Sequence, residues 1–126
     1  MRLPEPAAAL RHRGPALLLR RLDSYENGTL RCTVRGDRPS DWPTLLEAAA
    51  QAAGLVAGLQ PEGLSNRAVI AEYRGVRLHA LRHAGPVEVI ARLDRRVLHF
   101  WRCRIEARDP AGALLLEGTV TLAPGE

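Results

Sequence analysis

Polar and apolar residues alternate along much of this chain. Leu30, Cys32 and Val34 alternate with Arg31, Thr33 and Arg35, the period-two pattern of a strand with one buried face. Before it, the leucine-rich stretch Ala16 to Asp23 runs into Asn27-Gly28, a pair that accepts the positive φ angles of a tight turn, so the two stretches predict a hairpin. Downstream, Val87, Val89, Ala91 and Leu93 alternate against Glu88, Ile90, Arg92 and Asp94, and His99, Trp101, Cys103 and Ile105 against Phe100, Arg102, Arg104 and Glu106. Two further strands are expected over Ala68 to Tyr73 and Val76 to Leu78, broken near Gly75. Gly85-Pro86 and Asp109-Pro110-Ala111-Gly112 read as turns, and in the last strand Leu114, Leu116, Val120 and Leu122 share a face.

One segment breaks the alternation. Gly36 to Pro43 is dense in strand breakers and reads as a loop; from Thr44, TLLEAAAQAAGLVAGLQ holds strong helix formers and no proline before Pro61, predicting a helix of about four turns. Apart from Glu47 and Gln51 it is apolar all round, so it must be buried on nearly every face. A hairpin, a buried helix and then several strands argue for an α+β fold in which an antiparallel sheet curls round the helix. Sheet edges left unpaired then favour a dimer.

With 46% hydrophobic and 25% charged residues in 126, the chain predicts one globular domain and not a disordered one, residues 1–14 forming an N-terminal arm. That arm lacks the continuous apolar core of a leader, and the longest apolar stretch, Leu45 to Leu59, is too short and too interrupted to span a bilayer. Cys32 and Cys103, on separate strands, read as reduced buried thiols, so a cytoplasmic protein off the membrane is expected. All 18 basic residues are arginine and the net charge is +4, which suits an anionic partner without naming one. Nucleic acid is not expected, since neither a recognition helix nor an aromatic platform is evident.

The helix segment Leu45-Leu46-Glu47-Ala48-Ala49-Ala50-Gln51-Ala52-Ala53-Gly54 resembles the central-helix motif of the 3-hydroxyacyl carrier-protein dehydratases. His12-Arg13-Gly14-Pro15-Ala16-Leu17-Leu18-Leu19-Arg20-Arg21-Leu22 is similar to that family's opening, with Arg20 in place of its usual Asp. Tyr73-Arg74-Gly75-Val76-Arg77-Leu78 and Ala84-Gly85-Pro86-Val87-Glu88-Val89 fall where the family has a strand and a turn. The match is closer to a divergent branch found with aryl-polyene and related polyketide-like pathways.

The resemblance implies a hot-dog fold, a long central helix wrapped by the sheet, and a dimer with active sites between subunits. It implies no cofactor or metal, the substrate being carried on phosphopantetheine of an acyl carrier protein or coenzyme A. The family pairs a helix Glu with a His of the partner subunit to dehydrate a 3-hydroxyacyl thioester. Glu47 matches the carboxylate; the histidine, which the family carries in a loop shortly before the helix, is missing from Arg38-Pro39-Ser40-Asp41-Trp42-Pro43. Three functions therefore stay open: a dehydratase-like lyase of fatty-acid or polyketide-type biosynthesis, a thioesterase, and a non-catalytic subunit paired with a related dehydratase.

Each candidate residue also has a plainer reading. Thr44-Leu45-Leu46-Glu47 fits a capping box, which would explain Glu47 without catalysis. Gln51 lies a turn further along that face, and Trp42, Asp41 and Gly54 could shape a substrate pocket; yet Ser40 and Asp41 suit helix capping, Trp42 an anchor, and Gly54 close packing of helix on strand. Arg74, Arg77 and Arg82 are candidates for receiving a carrier or its phosphate. His79 and His83, four apart near a turn, do not converge as metal ligands, and His99 reads as a strand residue.

Overall fold

The computed structural model describes residues 3, 5, 17–36, 39–60 and 68–125. The expected N-terminal arm, with His12, lies largely outside them. Strands β1 (Leu19–Glu26) and β2 (Thr29–Val34) form the predicted hairpin, and Asn27 and Gly28 both take positive φ, 51° and 75°, in its turn. A two-residue strand β3 (Ser40–Asp41) leads into helix α1 (Trp42–Leu59). There follow β4 (Val69–Leu78), β5 (Arg82–His83), β6 (Glu88–Val97), β7 (Phe100–Arg108) and β8 (Leu114–Ala123).

Six strands make one antiparallel sheet in the order β1-β2-β6-β7-β8-β4, while β3 and β5 pair separately. The alternation sets which face is buried: Leu30 and Cys32, Val89 and Ala91, Cys103 and Ile105, Leu116 and Val120 are at most 1% exposed and line the concave side. Against them lies α1, with Leu45, Ala48, Ala49, Ala52, Ala53 and Val56 fully buried. Alanines let the helix axis approach the sheet closely, and each buried Leu, Ile or Val contributes roughly 1.5–3 kcal/mol. Both outermost strands, β1 and β4, reach the helix, so the sheet curls round it. At the far end Gln60, the C-cap, donates to the Tyr25 hydroxyl at 2.7 Å and ties α1 to the β1–β2 hairpin.

The helix begins two residues earlier than the sequence suggested. Pro43 read as a breaker, but it stands in the first turn, where backbone N–H groups have no intrahelical acceptor and a missing one costs nothing. The break near Gly75 is a register shift between Arg74 and Arg77 inside one continuous strand, with Gly75 at φ 62°. His99 falls in the β6–β7 turn and not in a strand, because Leu98 takes φ 55° and reverses the chain there.

Candidate functional site

The start of α1 is held by its own flanks. Asp41 is the N-cap: its carboxylate accepts the Thr44 N–H at 3.1 Å. Donations from the Thr44 hydroxyl and N–H, and then the charge of Arg82, hold the Asp41 carboxyl below its usual range. Asp41 pairs with Arg82 and Ser40 with His83 in the small sheet, and the Trp42 N–H donates to the Leu81 carbonyl at 2.9 Å.

This cap changes the reading of Glu47. A capping box would need Thr44 as the cap and Glu47 three residues on; with Asp41 as cap, Thr44 takes that third position and Glu47 lies in the second turn. Glu47 is half-buried. Its charge is felt at Tyr73 on β4, whose phenol is pushed up to about 12, first by burial and then by that carboxylate.

Around Glu47 the helix is less covered than its composition implied. Leu46, Glu47 and Gly54 are half-buried and Pro43 and Gly58 exposed, spacings that recur on one helix face. Gly54 does not serve close packing: a Cβ placed there would meet nothing within 4 Å, so the residue leaves open space on that face. Beside it, Ile70, Tyr73 and Leu78 of β4 stand opposite Leu122, Val120 and Leu116, hence on the sheet's inner face. Those partners are 2%, 0% and 0% exposed, while Ile70, Tyr73 and Leu78 are 38%, 36% and 38% exposed. The inner side of β4 is therefore apolar and only partly covered by the helix, and Glu47 stands at its margin.

The other candidates scatter. Gln51 is 3% exposed, and its Oε1 accepts the Leu18 N–H at 3.0 Å, anchoring the chain's entry into β1. Trp42 is exposed at the first helical position. Arg74 and Arg77 lie on β4, where Arg74 pairs with Glu72 at 3.2 Å, whereas Arg82 is in the small sheet. His79 pairs with Glu117 at 2.8 Å. Two residues near the helix were passed over in the sequence: Tyr73, quoted only as part of a strand, and His83, which the β3–β5 pairing sets beside the pre-helix segment that lacks a histidine of its own. Residue-type alternation carries no signal for either, since both contacts span more than 25 positions.

No protein-family model and no curated protein sequence matches the chain. Solved structures do. It is similar to the dehydratase heterocomplex ApeI:P from Xenorhabdus doucetiae, at TM-score 0.85 and 18% identity, over 99% of this chain and 93% of that one. It is also similar to a Haemophilus influenzae thioesterase, at TM-score 0.67 and 14% identity over 81% and 75% of the two chains. A third is the Escherichia coli PaaI protein from the phenylacetic acid degradation operon, at TM-score 0.66 and 14% identity over 81% and 80%. Among the described residues no helix is long and apolar enough to cross a membrane. One helix enclosed by a six-stranded antiparallel sheet, matched over nearly its whole length by the first of these structures, gives this chain the hot-dog fold.

Proposed function

We infer that this protein handles acyl thioesters as a dehydratase-like hot-dog subunit, with Glu47 as its acid/base residue. The observation that carries this reading is the position of Glu47: a half-buried carboxylate in the second turn of a helix that Asp41 caps, with its charge acting on Tyr73 of the exposed apolar face of β4. Dehydration of a 3-hydroxyacyl group needs one residue to take the proton beside the thioester carbonyl and another to protonate the departing hydroxyl. Glu47 supplies one; His83, beside the pre-helix segment, is our candidate for the other, contributed across a dimer interface.

The partner covers the inner face of β4 and the Gly54 side of α1, turning the open flank into a channel for an acyl-pantetheine arm. That arm belongs to an acyl carrier protein or to coenzyme A, and no further cofactor takes part. The partner is a second copy or a related dehydratase; the heteromeric neighbour supports the latter. The two unpaired thiols, Cys32 and Cys103, both fully buried, support a cytoplasmic setting. A thioesterase is the second reading, supported by the thioesterase among the structural neighbours, with Glu47 activating water against the thioester carbonyl.

The test incubates the purified protein with 3-hydroxyacyl and enoyl pantetheine thioesters, following hydration state and free thiol. We expect interconversion without thiol release, abolished in Glu47→Gln and reduced in His83→Asn. Thiol release abolished by Glu47→Gln establishes the hydrolase instead. Turnover only after a related dehydratase is added marks a subunit role, and activity unchanged in a folded Glu47→Gln protein refutes the assignment.

A further inference from the structure

The convex face of the sheet, away from the helix, carries a hollow of about 280 Å³ lined by residues that include Arg31, Ile90, Arg92, Arg104, Glu106 and Glu117. These positions alternate with the buried ones on β2, β6, β7 and β8, so their side chains leave the sheet on the outer side. Ile90 is nevertheless only 8% exposed.

Among the described residues, the charged side chains that line this hollow make no ion pair with one another. Each of three lining residues is paired with a residue outside the lining: Arg31 with Glu88 at 3.0 Å, Glu106 with Arg108 at 2.6 Å, and Glu117 with His79 at 2.8 Å. Left over are Arg92 and Arg104, which stand directly opposite each other across β6 and β7. Among the described residues neither makes a hydrogen bond or ion pair. Like charges opposed across a ladder are destabilising, and the next outer rung toward the hairpin tip repeats the pattern with Arg95 opposite Arg102. The nearby Asp94 sits in the bulge between these rungs, and its charge is felt at Cys103 on the inner face.

We propose that this hollow is a binding site for a small phosphomonoester, its phosphate held between Arg92 and Arg104 on the outer face of the sheet. Two guanidinium groups brought together, neither of them in an ion pair with the hollow's Glu106 or Glu117, match a phosphate dianion, whose oxygens accept several N–H donations at once. At roughly 30 Å³ per water the hollow has room for about nine waters, enough for a phosphate and a short organic substituent but not for a folded partner. Glu106 and Glu117 at its rim provide acceptors for hydroxyl groups on that substituent. The site is separate from Glu47, which lies on the opposite side of the sheet.

The test titrates the isotope-labelled chain with inorganic phosphate and with glycerol 3-phosphate at constant ionic strength, following backbone amides by NMR. We expect saturable shifts centred on residues 90–92 and 104–106, with glycerol 3-phosphate binding at least as tightly as phosphate. Arg92→Gln and Arg104→Gln should each weaken binding roughly tenfold, and Arg20→Gln should not change it. Should either variant fold poorly, Arg104→Lys keeps the charge and loses the two-pronged grip, so weaker binding with the same shift pattern is expected. Non-saturating shifts, equal weakening in Arg20→Gln, or binding to phosphatidic-acid vesicles with neither small phosphate would each overturn the assignment.

Discussion

Tyr73 on the edge strand lies within reach of the charge of Glu47 on the helix, and its phenol stands at about 12, raised first by burial and further by that carboxylate. The relationship gives a direct readout of where Glu47 points. In Glu47→Gln the second cause disappears, so Tyr73 should titrate lower, part of the way back toward 10, while burial keeps it above that value. Ultraviolet titration of the phenolate measures this, and Tyr73→Phe identifies the signal against Tyr25, the other tyrosine. An unmoved Tyr73 would place Glu47 away from the inner face of β4 and remove the basis for its catalytic role.

Two glycines should respond in opposite ways to alanine. At Gly54 the added methyl meets nothing within 4 Å, so relief of glycine's helix penalty should raise stability by about 0.5–1 kcal/mol. If the open face beside Gly54 is the acyl channel, the same methyl narrows it, and the Michaelis constant for long acyl thioesters should rise as the protein becomes more stable. At Gly118 the new Cβ would lie 3.1 Å from both Cα and Cγ2 of Val76, so a loss of about 1–3 kcal/mol is expected. Denaturant midpoints measure both effects; a stabilised Gly54→Ala with unchanged kinetics would exclude that face from the channel.

Most strands were legible because alternation reports directly on a half-buried sheet. Cys32, Val89, Cys103 and Val120 all fall on the face that their spacing assigned. Pro43 lies in the first helical turn and not in the loop, because a residue that breaks a helix interior is well suited there; of the two caps the sequence offers, Asp41 and Thr44, the helix uses Asp41, and the capping-box account of Glu47 falls away. The exposure of β4 was not legible either. Ile70, Tyr73 and Leu78 look like core residues, and only the helix's position mainly over the central strands leaves their inner face partly exposed. His83 beside Ser40 is a pairing across more than forty residues that no local pattern encodes.

The cap at Asp41 should be visible in acid. Its carboxyl is held below its usual value, so its contribution is present above about pH 4, where the unfolded group ionises, and is lost as pH falls through the folded value. Asp41→Ala should lower the melting temperature by a few degrees at neutral pH and lose less on acidification than the parent. Asp41→Asn keeps an acceptor for the Thr44 N–H but no charge for Arg82, so it should sit between the two at neutral pH and share the flat acid response. Melting curves at neutral and acid pH decide; parallel pH profiles for all three proteins would mean that this carboxyl is not perturbed by folding.

At the alkaline end the buried thiols dominate. Burial, then Asp23 and Glu88, push Cys32 from 9.0 up to about 12, and burial, then Asp94, push Cys103 over the same span. Because the folded values are the higher ones, both thiols stay protonated in the fold while the unfolded chain releases its protons. Their contribution is therefore complete below pH 9 and declines as pH rises toward 12. Each thiol can add a slope of up to about 1.4 kcal/mol per pH unit. Tyr73 acts in the same direction above pH 10, more weakly because the residue is 36% exposed and water screens it. Urea midpoints measured across this range should fall steeply, and Cys103→Ala, though less stable at neutral pH, should fall by a shallower slope. The same burial predicts that neither thiol reacts with a disulfide reagent until the protein unfolds; rapid labelling of the native chain would show that the core around Ala53 and Cys103 opens far more readily than its packing implies.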